Sequence, residues 1–514
     1  MKTIKLSISD KNKSLLTHLQ ENGEFLPAYC AGRGTCGKCQ VQFLNDTPTP
    51  TEYDSAFFSP KQLSEGWRLA CQTYIEGQFT LQIEDYQEDS IQAASDFKLS
   101  PKESDLDIAD SALLYTKESD FSSLALAIDI GTTTIVCYLL DGISGRELAE
   151  ERRLNPQTAY GADGISRIEY VLRNKTSELQ NCIRHTLSEL ADIVSARAGI
   201  SPTEITLACI VGNTAMHHLF LGIDPTPLTV PPYMPKVSNA LEIPAAPLLS
   251  IHPEGKLRIL PNIAGFVGAD TVACMVSTHF DQLNELTLMI DIGTNGEMVL
   301  GDQHRRIACS TAAGPAFEGA KISCGMRGVT GAVDHVSVKN GNICFHTIGD
   351  TEPAGLCGSG LLDLTAALLD TGFLSEAGLM QKHEYPLGTS SVSLTQKDIS
   401  EIQFAKSAIR SGIELLARQM QVSVSDIRKV YLAGAFGNYL TPASACRIGM
   451  IPPVLLDRIE AVGNAAGEGA KLCALNRREF AYSQMLAAKT EFLELASCPE
   501  FQDCYIDHLM FEGE

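Results

Sequence analysis

LALAIDIGTTTIVCYLLD (Leu124–Asp141) and LTLMIDIGTNGEMVLGD (Leu286–Asp302) are two versions of one passage. Each is an apolar run that closes on Asp-Ile-Gly-Thr and, after a polar residue or two, resumes as a second apolar run. Such runs, broken only by Gly and Thr, read as buried strands joined by a tight turn. The first strand delivers Asp129 or Asp291 to the end of a sheet, where a carboxylate can hold Mg²⁺ directly or through water. The glycine permits a turn whose backbone N–H groups, with the threonine hydroxyls, point at phosphate oxygens. Candidates in the first turn are Gly131, Thr132, Thr133 and Thr134; in the second they are Gly293, Thr294, Asn295 and Gly296. One such turn is a weak signal. Two in matched contexts predict two similar lobes whose turns face each other and clamp a triphosphate. The Walker pattern G-x-x-x-x-G-K-[ST] does not occur, so the phosphate site is of another kind.

From Leu124 onward, apolar strands alternate with helical patterns, which predicts an α/β domain. In motif order this region, to about Leu475, resembles the actin, sugar-kinase and heat-shock-chaperone superfamily, whose core is a two-lobed, ribonuclease H-like fold. On that resemblance PNIAGFVGADTVACMV (Pro261–Val276) is the first interlobe helix, with Gly265, Gly268 and Ala269 allowing close packing. AAGPAFEG (Ala312–Gly319), with Gly314, is a loop closing on the nucleotide. KVYLAGAFGNYL (Lys429–Leu440) is the adenosine motif, with Gly434, Ala435, Phe436 and Gly437 beside base and ribose. GNAAGEGAKL (Gly463–Leu472) is the second interlobe helix. The superfamily positions its attacking water with an acid or amide near the first interlobe segment. Asn262 stands near that place and Asp270 comes later, and neither is identified as the base.

Upstream, YCAGRGTCGKCQV places Cys30, Cys36 and Cys39 in C-x5-C-x2-C, and Cys71 follows in WRLACQT. Iron–sulfur clusters need thiolates, soft anionic ligands, and three on one loop with a distant fourth is a common [2Fe–2S] assembly. Gly32, Gly34 and Gly37 let the backbone wrap closely with positive φ, and its amides can hydrogen-bond the sulfurs. The same stretch spells G-x-G-x-x-G, but interleaved cysteines and the lack of a following helix pattern argue against a dinucleotide site. Zinc, which four cysteines also bind, and unligated thiols are the remaining readings. The surrounding pattern resembles plant- and adrenodoxin-type ferredoxins, with the x5 spacing nearer the adrenodoxin kind. Cys498 and Cys504 are spaced for a ligand pair, but small buried hydrophobes are the simpler reading.

The short alternating segments IKLSI, KCQVQFL and FTLQIEDY around these cysteines suit a small, β-rich, β-grasp-like domain over residues 1–88. An acidic, patternless stretch over 89–122 reads as a linker. The two lobes then span 123–286 and 287–514, the second with C-terminal helices. A length of 514 residues suits several domains. The formal charge of −22 excludes the basic footprint of a nucleic-acid binder. No apolar run reaches the roughly 18 residues of a membrane span. With no signal-like start, sixteen cysteines read as reduced thiols of a cytoplasmic protein.

Ferredoxin, acidic linker and this nucleotide fold, together with NPQTAYGADGISRI (Asn155–Ile168), VGNTAMHHLFLG (Val211–Gly222), DIGTNGE, AAGPAFEG and LAGAFGNYL, closely resemble the reductive activators of corrinoid proteins. Some members carry a further domain after the linker, for which this chain has no room. The resemblance implies an ATP-hydrolysing cobalt reductase with a [2Fe–2S] cluster, ATP and Mg²⁺. Its partners would be a corrinoid methyl-transfer protein, an upstream electron donor and a second copy of itself. An ATP-switched redox sensor without turnover, a sugar-kinase-type phosphotransferase and an activator of radical acyl-CoA dehydratases are the alternatives. On the residues alone, NPQTAYGADGISRI reads equally as a nucleotide or partner contact and as a polar connection. The His217–His218 pair reads as capping or packing.

Overall fold

The computed structural model describes residues 1–22, 24, 26, 28, 30, 32–83, 124–319 and 321–511. The acidic stretch expected as a linker, 89–122, lies outside the described residues, as does the end of the expected N-terminal domain, 84–88. Two compact units emerge: Met1–Ser90 with Leu154–Ile183, and Ile91–Arg153 with Arg184–Glu514.

In the first unit four strands form a sheet in the order Lys2–Ile8, Gly77–Ile83, Gln40–Phe43, Trp67–Leu69, with antiparallel neighbours throughout. Alternation turns Phe79, Leu81 and Ile83 inward. The helix Leu15–Glu21 starts where the Ser14 hydroxyl accepts from the Thr17 N–H. It buries Leu15, Leu16 and Leu19 in one core with Leu6, Val41, Phe43 and Leu81, the β-grasp arrangement that the sequence predicts. The stretch NPQTAYGADGISRI belongs to this unit. It forms a 3₁₀ turn, Pro156–Ala159, and a helix, Gly164–Asn174, whose capping box pairs Asp163 with Ser166. The buried Arg167 donates from Nε to the Gly161 carbonyl at 2.9 Å.

The second unit holds two six-stranded sheets built to one plan. The first runs Glu147–Leu154, Thr134–Asp141, Leu124–Ile130, Ile205–Gly212, Lys256–Ile259, Leu241–Pro244. The second runs Ile459–Ala461, Lys429–Ala433, Thr287–Ile292, Gly296–Gly301, Arg306–Thr311, Glu491–Phe492. In both, the strand ending in Asp-Ile pairs antiparallel with its successor on one side and parallel with a later strand on the other. A further parallel strand follows in each. The repeated passage of the sequence therefore opens each lobe of a ribonuclease H-like pair, as expected.

Two helices, Ala269–Ser277 and Ala465–Leu475, pack against each other between these sheets. A Cβ at Gly469 would lie 2.0 Å from the Ala273 carbonyl oxygen, so glycine sets their approach. The first of these helices is shorter than the sequence suggests. It begins at Ala269, and Pro261–Gly268 is an irregular lead-in. Gly265 and Gly268 serve other contacts than helix packing. A Cβ would meet the Tyr233 oxygen at 1.9 Å in one case and the Asn213 Cα at 2.5 Å in the other. Among the described residues no helix is long and apolar enough to cross a membrane.

Candidate functional site: a four-thiol loop and a two-turn acidic centre

Strand pairing brings the distant cysteine home. Cys39 immediately precedes the strand Gln40–Phe43, and Cys71 sits in the 3₁₀ turn Ala70–Gln72 that follows Trp67–Leu69. These strands pair with Gln40 opposite Leu69, and the Ala70 N–H donates to the Cys39 carbonyl at 2.8 Å. The buried Asp54 carboxylate accepts the Leu69 N–H at 2.7 Å and fixes the same corner.

The thiols touch in pairs: Cys30 with Cys36 and Cys71, and Cys39 with Cys71. Those contacts hold the Cys30 and Cys39 thiols below their ordinary value and push Cys36 and Cys71 above it. Backbone amides of Thr35 and Cys36 point at the Cys30 sulfur, and that of Lys38 at Cys36. Gln72 reaches over the loop, donating from Nε2 to the Gly32 carbonyl at 2.7 Å. Gly34 and Gly37 have φ of 74° and 68°. A Cβ on Gly37 would lie 2.3 Å from the Phe57 ring, and on Gly34 2.8 Å from Tyr53. Three of the thiols are buried and Cys36 is half-buried. Among the described residues, no three or more His, Cys, Asp and Glu side chains converge on a point that would hold a single metal ion. All four cysteines named from the sequence meet here.

The second centre lies where the two Asp-Ile-Gly-Thr turns meet. Each turn closes on itself, Gly131 N–H donating to the Thr134 carbonyl at 3.0 Å and Gly293 N–H to the Asn295 carbonyl at 2.8 Å. Asp129 and Asp291 stand at the strand ends with Asp270 and Glu297 beside them. All four residues are half-buried. Burial first, then the Asp270 and Asp291 charges, raise Asp129 to about 7. Burial, then the Asp270 charge, raises Asp291 to about 7. Burial lifts Asp270 to about 6, and burial with the Asp270 and Asp291 charges lifts Glu297 well above its ordinary value. These carboxyls feel one another's charge, so a positive ion near them would relieve the repulsion.

Both turns reach one residue that the sequence reading passed over. The Thr133 hydroxyl donates to Oε2 of Glu318, and the Thr294 hydroxyl donates to Oε1, each at 2.6 Å. The other turn residues have separate employments. The Thr132 hydroxyl accepts from Asn213 Nδ2 at 2.9 Å, Asn295 bonds Glu297, and Gly296 packs where a Cβ would lie 3.1 Å from Thr311. Gly314 (φ 78°) opens the 3₁₀ turn Pro315–Glu318, and a Cβ there would meet nothing within 4 Å. In the expected adenosine motif, Gly434 (φ 82°) lies against Asp291 and Phe436 stacks on Phe317 with ring centroids 5.4 Å apart. Gly434–Tyr439 is a short helix, and the side chain of Ala435 lies outside the described residues. Asn464, the cap of the second interlobe helix, hydrogen-bonds Asp129.

Asn262 takes no part in this centre. It is buried, donating from Nδ2 to His217 Nδ1 at 2.5 Å and to the Val237 carbonyl at 3.1 Å. That usage removes it as a positioner of water. Glu318, Glu297 and Asn464 all lay inside quoted motifs. The hairpin register, which sets Glu297 opposite Asp291, could have found Glu297; for Glu318 and Asn464 the only signal is their polarity beside glycines.

Three family models match the chain: a 2Fe-2S iron-sulfur cluster binding domain over residues 2–76, the RACo middle region over 124–283, and the C-terminal domain of RACo, the ASKHA domain, over 285–514. The corrinoid activation enzyme RamQ of Eubacterium limosum is 35% identical over 427 residues, spanning 77% of this chain and 72% of its own. The Co(II) methylated amine-specific corrinoid protein reductase of Methanosarcina barkeri is 28% identical over 280 residues, 50% of this chain and 52% of its own. A solved structure, the reductive activator for corrinoid, iron-sulfur protein, superposes with a TM-score of 0.70 at 28% identity and covers 98% of this chain and 96% of that one. The three domain models run in order along most of the chain, the solved activator superposes on 98% of it, and the chain belongs to the family of corrinoid activation enzymes.

Proposed function

We propose that the chain is an ATP-hydrolysing reductase that restores inactive Co(II) of a corrinoid protein to Co(I). The observation that carries this reading is the coexistence, in one chain of this family, of a four-thiol loop and two facing phosphate-type turns. The loop fits a [2Fe–2S] group: four thiols in pairwise contact, amides aimed at sulfur, and glycines where any Cβ would collide. Cys30, Cys36, Cys39 and Cys71 would hold it, and it would supply single electrons at roughly −400 mV if it behaves as a plant-type centre. Corrinoid Co(II) is a weaker acceptor than that. Each ~59 mV of gap is a tenfold handicap, about 1.4 kcal/mol, so coupling to nucleotide is required.

The residues of the second centre suit that coupling. The Gly131–Thr134 and Gly293–Gly296 turns would grip the phosphates, with Gly434 to Gly437 beside the adenosine. Asp129 and Asp291 would hold Mg²⁺ through water, relieving the repulsion that raises their pKa values. Closure of the lobes on ATP sets the affinity for the corrinoid partner, and hydrolysis reopens them. The ferredoxin domain (1–88), linker (89–122) and lobes (123–286, 287–514) divide these tasks. We place the protein in the cytoplasm as a homodimer, reduced by an upstream donor.

The test incubates the anaerobic, cluster-loaded protein with a reductant and a Co(II) corrinoid carrier, and follows Co(I) absorption with and without ATP. Co(I) should appear only with ATP, and Cys36→Ser and Asp291→Ala should each abolish it. Co(I) formation independent of ATP, or none with several carriers despite bound ATP and an intact cluster spectrum, would overturn the reading.

A further inference from the structure

Glu318 stands where a phosphate would be expected. Each hydroxyl of Thr133 and Thr294 has a single proton, and both protons are given to this one carboxylate, at 2.6 Å each. The two donors come from the two phosphate-type turns, one on each lobe. An anion touching both turns at once is what the triphosphate itself must become. A hydroxyl cannot donate the same proton to a carboxylate and to a phosphoryl oxygen. The bonds are charge-assisted and short, so the competition is strong in either direction.

The segment carrying Glu318 is anchored by Ala316 and Phe317, both buried in the core of the second lobe. It is the single turn Pro315–Glu318, bounded by Gly314 (φ 78°) and Gly319 (φ 77°). The preceding residue, Phe317, stacks on Phe436 of the expected adenosine motif with the rings 7° from parallel. One short turn therefore touches both phosphate turns and the adenosine helix.

We infer that the Glu318 carboxylate is a built-in stand-in for the terminal phosphoryl group, displaced by ATP and left in place by ADP, so that Glu318 determines triphosphate against diphosphate specificity. The inference rests on the nucleotide reading above. Displacement frees the Pro315–Glu318 turn and loads Phe317 against Phe436, which makes the γ-phosphate the signal that the lobes register.

The experiment uses the full chain and measures affinity for ADP and for a non-hydrolysable ATP analogue, in the wild type, Glu318→Gln and Glu318→Asp. Neutral glutamine competes poorly, and aspartate, one methylene shorter, does not reach the two hydroxyls from the same backbone position. Both variants should bind the analogue at least ten-fold more tightly, with ADP affinity changed less than two-fold. Amide exchange over the 313–319 segment should rise on adding the analogue to the wild type, and be already high in Glu318→Gln without nucleotide. Unchanged or weakened analogue binding in both folded variants would overturn the inference, assigning Glu318 to the bound state. So would unchanged affinity with a hundred-fold loss of hydrolysis measured with ATP, which would make it a positioner of water. Failure of the wild type to bind either nucleotide would overturn the nucleotide reading itself, and this inference with it.

Discussion

Gly434 and Asp291 are in contact across two parallel strands: a Cβ on Gly434 would lie 2.4 Å from Oδ1 of Asp291. The register pairs Asp291 with Ala433, so the backbone turns away immediately beside the carboxylate. At φ 82° an L side chain is strained as well as crowded. Gly434→Ala should push the Asp291 carboxylate out of place and weaken ATP binding ten-fold or more, with a stability loss of about 1–3 kcal/mol. Isothermal titration and thermal melting read the two effects separately.

The acidic centre makes a pH prediction of unusual sign. Asp129 is raised in the folded chain to about 7, from an ordinary value of 3.8. Between those values the folded state holds the extra proton, so Asp129 lowers stability as pH rises. Asp129→Asn should therefore raise the nucleotide-free melting temperature by a few degrees at pH 8, on the order of 1–2 kcal/mol. At pH 5 the gain should shrink toward zero. Melting curves of both proteins across pH 5–8, without Mg²⁺, would show the difference.

His217 has the opposite slope. Burial, then the neighbouring His218, pushes it down to about 4. Its Nδ1 accepts from Asn262, and its buried Nε2 has no hydrogen-bond partner among the described residues. Below about pH 6.5 the unfolded chain takes up a proton that the folded chain refuses until about pH 4. Stability is thus lost as pH falls through that window, by roughly 3 kcal/mol in full. His217→Gln should flatten this part of the acid limb in denaturant titrations, whatever it does to stability at neutral pH.

In the thiol loop the most economical lesion spares every cysteine. Gly37→Ala brings a methyl to 2.3 Å from the Phe57 ring at φ 68°. Iron per chain and visible absorption should fall by more than half. Gly199→Ala, also at positive φ but with nothing within 4 Å, should leave both untouched.

The interlobe contact can be tested in the same spirit. Gly469→Ala pushes a methyl to 2.0 Å from the Ala273 carbonyl and must separate the two helices. Overpacking of this kind costs about 1–3 kcal/mol. ATP-dependent Co(I) formation should suffer while the cluster spectrum stays intact.

Asp129 and Asp291 were legible because strand, turn and following strand are contiguous, so a single short passage carries its own geometry. Cys30, Cys36 and Cys39 share that advantage. Cys71 was legible through its chemistry, since a lone cysteine after three gathered ones has few other uses. Glu297 shares the contiguity of Asp291, facing it directly across the hairpin, whereas Glu318, Asp270 and Asn464 come from three separate elements and nothing in local spacing foretells their part. Asn262, which the sequence left unassigned, is accounted for by contacts remote along the chain. Its amide nitrogen donates to His217 and to the Val237 carbonyl. Gly265 and Gly268 were recognised as close-approach positions, yet the surfaces they approach, Tyr233 and Asn213, are remote in sequence.

The twofold repetition of one sheet plan has a consequence for how errors spread through the molecule. Thr294 is the counterpart of Thr132 in the first copy, yet its companion on the Glu318 carboxylate is Thr133, one position further along. The sheets repeat and the grip does not. Loss of Thr133 or of Thr294 should each remove one of the two hydroxyl donors to Glu318, and because the two sit at different places in their turns, neither copy repairs the other.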